Sequence, residues 1–120
     1  MRAVFALIAV AAPLSLSPVA QAQVRSDPYA AVAIRSGDLA TAERQLLDAQ
    51  RRLPSYPEVM INLAAIYATT GRHAEARALY RRVLAQEAID LNVSDGQVAP
   101  SHLIAERGLR QLDAARQAAR

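Results

Sequence analysis

From Pro57 to Leu84 the apolar positions recur at three- and four-residue spacing, first as Val59, Met60, Leu63, Ile66 and Tyr67, then as Ala76, Leu79, Tyr80, Val83 and Leu84. That period is helical and predicts two amphipathic helices. Pro57 suits a first helical position, and Glu58 complements the positive end of a helix dipole. Thr69-Thr70-Gly71-Arg72 interrupts the pattern, with Gly71 free to take the left-handed conformation that ends a helix. The second helix is expected from about His73, with Glu75, Arg77, Arg81 and Arg82 covering its polar side. Two helices joined by so few residues lie antiparallel. Ala76 falls at their crossing, where a methyl group lets the backbones approach.

The same pattern occurs once before at a spacing of 34 residues: Gly37 falls on Gly71, Ala42 on Ala76, Glu43 on Arg77, Leu46 on Tyr80 and Ala49 on Val83. A fixed period of this length marks stacked helical units. The earlier copy is partial. Pro28 is tolerated only in a first turn, so its first helix is expected to start near Pro28, capped by Asp27 or Ser26, and to end at about Arg35. Ser55 to Pro57 links the two copies.

After Ala88 the pattern changes. Asn92, Ser94, Asp95-Gly96 and Pro100 are turn formers, interleaved with Leu91, Val93 and Val98. Residues 89–100 are expected as an ordered loop, with a small two-stranded turn as the alternative. A last helical pattern follows from Ser101, its expected cap, through Leu103, Ile104, Leu109 and Leu112. Gln111 to Arg120 is rich in alanine and arginine and is expected to fray at its end.

The segment from Pro57 to Ala88 resembles the tetratricopeptide repeat. Met60 stands at the bulky aromatic position, Leu63 and Ala64 at the leucine-plus-small pair, and Tyr67 at the tyrosine. Gly71 lies in the turn, Ala76 is the small crossing residue, Tyr80 takes the second aromatic position, and Val83 stands where alanine is usual. Met60 and Ala88, the latter in place of a closing proline, depart from the family pattern. In the earlier copy Gly37, Ala42, Leu46, Ala49 and Pro54 match, whereas Tyr29-Ala30 occupies the leucine-plus-small pair. The expected architecture is all-α: stacked antiparallel helix hairpins with a C-terminal capping helix. Its expected divisions are a partial repeat over 23–54, a complete repeat over 55–88, a loop over 89–100, and a capping helix with tail over 101–120.

The resemblance implies a non-catalytic scaffold in which the first helices of successive hairpins line a groove for a peptide. Carried over by position, the groove residues are Glu58, Ile61, Asn62, Ala65, Ala68 and Thr69 of the complete repeat and Ala31, Ile34 and Arg35 of the partial one. Family members that clamp a terminal carboxylate use lysines and arginines with asparagines. Asn62 matches one such asparagine, but the chain has no lysine, so a clamp of that type is not expected. The groove either receives a protein or peptide partner or is filled by the chain's own C-terminal helix.

The first 22 residues read as an export signal, with Arg2 ahead of an apolar run to Leu16 and a small-x-small site at Ala20-Gln21-Ala22. The run is short for a membrane span and contains Pro13. Cleavage after Ala22 leaves 98 residues, destined for a bacterial periplasm or for secretion. An uncleaved anchor is the competing reading. No stable membrane insertion is expected after cleavage.

With no cysteine in the chain, disulfides, thiolate metal sites, cysteine nucleophiles and a lipidated N-terminus are all excluded, and packing alone must hold the domain. The isoelectric point near 9.9 suggests nucleic acid, but past residue 22 only 13 arginines face 11 acids. Arg51-Arg52 and Arg81-Arg82 then read as a solvated outer face. His73 and His102 lack a second ligand at metal spacing, and Asp90 with Asp95 lacks the glycine and glutamate of a calcium loop. No nucleophile motif, phosphate loop or acid pair points to catalysis or to a cofactor. The expected role is contact with a protein partner; the alternative is a self-assembling adaptor or subunit of an envelope complex, using the face beyond the last helix.

Overall fold

The computed structural model describes residues 30–93 and 97–120, and only the backbone of Ala31 and Val32. The export signal over 1–22, the helix start near Pro28 with its cap, and the Asp95-Gly96 turn fall outside the described residues. Among the described residues five helices pack as a stack: α1 (Ala31–Ser36), α2 (Leu39–Arg52), α3 (Pro57–Thr69), α4 (His73–Leu84) and α5 (Ser101–Ala118). Between α4 and α5 lie two strands, β1 (Asp90–Asn92) and β2 (Val98–Pro100). The architecture is a short all-helical tetratricopeptide-like stack.

The two helix hairpins share one joint. Gly37 and Gly71 both take positive φ, +78° and +82°, and neither would meet an atom within 4 Å if it carried a Cβ, so the requirement at each is conformational. The next amide reaches back over each turn, Asp38 N–H to Ala33 O at 2.9 Å and Arg72 N–H to Tyr67 O at 2.8 Å. This bond satisfies a carbonyl that the helix end leaves open. Asp38 then caps α2 by accepting the Thr41 N–H at 3.1 Å, and hydrogen bonding from Thr41, its side chain first and its backbone N–H second, holds the Asp38 carboxyl below its ordinary value.

Homologous positions of the two copies fill one core. Ala42 and Ala76, Leu46 and Tyr80, and Ala49 and Val83 are all buried. α3 lies at the centre, with Val59, Met60, Ile61, Leu63, Ala64 and Ile66 buried. A helix apolar on nearly every side must be covered on nearly every side, and α2, α4 and α5 all contact it.

Two expectations for the C-terminal part are corrected. Residues 89–100 take the two-stranded alternative rather than the plain loop expected first: β1 and β2 pair antiparallel, with Leu91 opposite Ala99 and Asn92 opposite Val98. The ladder forms because its inward pair is apolar and Leu91 joins the core, while Asp90, Asn92, Val98 and Pro100 stay exposed. Ser101 does not cap α5 with its side chain. It is fully buried and clasps the base of the hairpin instead, its Oγ accepting the Ile89 N–H at 3.1 Å and its N–H donating to Ile89 O at 2.7 Å.

The inward side of α5 agrees with the expected one at Leu112 and in part at Ile104 and Leu109, which pack against the core, but differs at Leu103. Leu112 is buried, but Leu103 is 42% exposed, and the inward positions are Ser101, Ala105, Gly108 and Leu112. Small side chains are required there because α5 comes close against α4, with Gly108 beneath the Tyr80 ring. Arg77 on α4 pairs with Asp113 on α5 at 2.8 Å, tying the same two helices at their rim.

Candidate interaction surface

The nine groove positions do not form one surface. On α3, Ile61 is buried and Ala68 packs against the core, whereas Glu58 and Asn62 are half-buried and Ala65 and Thr69 are exposed. The open residues 58, 62, 65 and 69 follow the helical period and make one stripe. Thr69 turns its hydroxyl back onto Ala65 O at 2.9 Å.

Two recesses flank this stripe. The first, of about 130 Å³, brings Glu58, Ile61 and Asn62 together with Leu91, Asn92 and Val93 and with Ile104 of α5. The second, of about 200 Å³, brings Ala68 and Thr69 against α4 and α5, at His73, Tyr80, Gly108 and Leu112. Neither recess includes Ile34, Arg35 or Ala65. Ile34 packs partly into the core, Arg35 is exposed, and of Ala31 only the backbone is described. Burial raises the Glu58 carboxyl above its ordinary value, so the first recess is a place where charge is costly.

Opposite this face a polar cluster locks the two copies together. The Arg72 guanidinium grips the Glu43 carboxylate with both nitrogens, Nη2 to Oε2 at 2.7 Å, and also donates to Thr70 Oγ1. Its carbon lies 4.3 Å from the centre of the Tyr67 ring. Bidentate geometry and stacking together fix the fork in one position. The hydrogen bonds from Arg72 hold Glu43 below its ordinary pKa, while burial, reinforced by Glu43 and Glu75, raises the Tyr67 hydroxyl. Arg82 spans the same two copies, donating to Pro54 O at 3.1 Å. Arg51, Arg52 and Arg81 face solvent, and the first two pair with Asp48.

The joint, the repeated core positions and the central helix together form the scaffold of one repeat family, and a profile described as tetratricopeptide repeat matches residues 33–93, about half of the chain. The chain belongs to the tetratricopeptide repeat family. No curated protein and no solved structure matches it. Tetratricopeptide repeats are in general protein–protein interaction modules without catalytic activity. The match ends at Val93, so β2 and α5 lie outside the matched residues.

Three residues that position this surface carried no prominent sequence signal. Glu43 was only the partner of Arg77 in the repeat alignment, and its bond to Arg72 spans 29 residues. Leu91 reads as one apolar residue among turn formers. Gly108 carried a readable sign, since a glycine inside a helical pattern marks a close packing contact.

Proposed function

We propose that the chain is an exported, non-catalytic scaffold that holds a peptide segment of a protein partner along Glu58, Asn62, Ala65 and Thr69 of α3. The observation that carries this reading is that α3, contacted by α2, α4 and α5, leaves Ala65 and Thr69 exposed and Glu58 and Asn62 half-buried along one line. A preformed surface of this kind costs the protein little ordering on binding. Ile61 and Ala68 serve as its floor. A soluble periplasmic or secreted location follows from the N-terminal 22 residues; N-terminal sequencing of the mature protein should give Gln23. Among the described residues, no helix is long and apolar enough to cross a membrane.

The test is affinity capture of the tagged mature protein from periplasmic extract, with Asn62→Arg in parallel. The expected result is a protein held by the parent and lost by the variant at unchanged helicity. Equal retention by both would move the binding surface off α3.

A second reading, self-assembly beyond the last helix, draws on three exposed apolar side chains of the hairpin segment and α5: Ile89 at 37%, Val98 at 57% and Leu103 at 42%. Sedimentation decides between them. Concentration-dependent dimers abolished by Val98→Asp with Leu103→Asp would favour assembly.

A further inference from the structure

Part of the α3 face is already covered by the chain itself. Leu91 of β1 is 5% exposed and belongs to the same apolar core as Ile61. With Asn92 and Val93 it closes one side of the recess that Glu58, Ile61, Asn62 and Ile104 form. The cover has modest means of staying in place. Each strand has three residues, one further rung joins Val93 N–H to Gln97 O at 3.0 Å, and the base is held by the Ile89–Ser101 clasp and by His102 Nε2 donating to Gln86 O at 2.6 Å. Leu91 is the one buried side chain among the described residues of the two strands. A two-stranded ribbon is marginal by itself, so this ribbon stays docked chiefly through one aliphatic anchor and its covalent ends. Elements of this kind open before the rest of a domain does.

We infer that β1 occupies in cis the seat of the partner's segment, so that the hairpin is an internal competitor and the partner presents an extended segment with an aliphatic side chain in the place of Leu91. This rests on the α3 surface being the binding surface. The residue following the anchor lines the same recess as Glu58, which favours a neutral or basic group there, as Asn92 is in the cis segment. An occupant tethered in cis lowers the apparent affinity of the partner by the fraction of chains whose hairpin is open. Removing the occupant removes that reduction.

The experiment uses the chain with residues 90–99 replaced by a Gly/Ser linker of equal length. The probe is a fluorescently labelled synthetic peptide with the sequence of residues 88–93, Ala-Ile-Asp-Leu-Asn-Val. Saturable anisotropy is expected with the linker chain, binding about tenfold or more weaker with the parent, and none with the Leu91→Asp peptide. Equal binding to parent and linker chain, or no binding to a linker chain of parental helicity, overturns the inference. If the linker chain does not fold, Leu91→Ser in the full chain replaces it. That variant should admit the peptide and exchange the Val93 amide faster than the parent, and failure to admit the peptide counts against the inference. The Asn62→Arg capture separates the two levels. Loss of capture with no peptide binding leaves the α3 surface standing without the competitor, whereas retained capture with peptide binding places a natural partner elsewhere.

Discussion

Gly108 of α5 lies directly beneath the Tyr80 ring of α4: a Cβ on Gly108 would stand 2.6 Å from Tyr80 Cε2 and 2.7 Å from Cε1. No real Cβ approaches a ring carbon so closely, and Tyr80, 5% exposed, has little room to turn. Two effects of Gly108→Ala oppose each other. Helix propensity gains about 1 kcal/mol, and overpacking costs about 1 to 3 kcal/mol. The contact is with a rigid ring, so the variant should melt lower than the parent. Tyr80→Leu in the same chain should recover part of the loss, and a double-mutant cycle measures that coupling. A Gly108→Ala chain as stable as the parent would show that α5 slides freely on α4.

Ala76 is completely buried at the α3–α4 crossing, as Ala42 is in the earlier copy. Ala76→Leu should therefore cost about 1 to 3 kcal/mol in urea unfolding. Ala65→Leu, on the exposed side of α3, should stay within about 0.5 kcal/mol. An unchanged midpoint for Ala76→Leu would contradict the close crossing.

The pH dependence should carry two opposite contributions. Glu43 has its carboxyl held below the ordinary 4.5 by the hydrogen bonds from Arg72. A lowered folded value gives stability that is present above 4.5 and lost as pH falls through the folded value. Glu43→Gln should thus lower stability at pH 7 and shrink the drop that the parent shows on acidification. Glu58 has the other sign, because burial raises its folded value above 4.5. Its contribution is unfavourable at neutral pH and is relieved as pH falls between the folded value and 4.5. Glu58→Gln should raise the melting temperature at pH 7, with the gain fading below about pH 4.5. Thermal melts from pH 7 to pH 3 would test both, and parallel curves for all three chains would refute the assignments.

Ser101→Ala removes the acceptor of the Ile89 N–H while leaving the Ser101 backbone bond in place. About 1 kcal/mol of stability should be lost. Hydrogen exchange should localise the effect, with the Ile89 and Val93 amides exchanging faster and those of α3 unchanged. Uniform acceleration across α3 would mean that the clasp supports the whole stack.

Most of the helical stack was readable because a repeat states its own period. Gly37 and Gly71 mark the joints, and the buried pairs from Ala42 and Ala76 to Ala49 and Val83 recur at one spacing. The C-terminal part was less readable, and the reasons are physical. The outward face of α5 carries a large apolar residue, Leu103, whereas its inward stripe is small because helix approach, rather than side-chain volume, fills that space. The hairpin had only a weak local signature, the alternation of Leu91, Val93 and Val98 about turn formers, and what decides between it and a loop is the burial of Leu91 in the core, a tertiary event. The surface was readable only as positions on α3; which of them the chain itself covers depends on where β1 comes to rest.

The order of the contacts has a mechanical consequence. α1 rests on α2, α2 on α3, and the densest packing joins α4 to both α3 and α5. Short loops close most of these contacts, a topology that favours rapid folding from a local nucleus, and stability along such a stack adds through neighbours. The three C-terminal helices form a closed triangle; the first two hang from it chiefly through the α2–α3 interface, with the Arg72–Glu43 bond and the Arg82–Pro54 bond beside it. A pull on the N-terminus should therefore peel the molecule in two stages. The first frees α1 and α2 and leaves the α3 surface intact; the second opens the triangle and takes that surface with it.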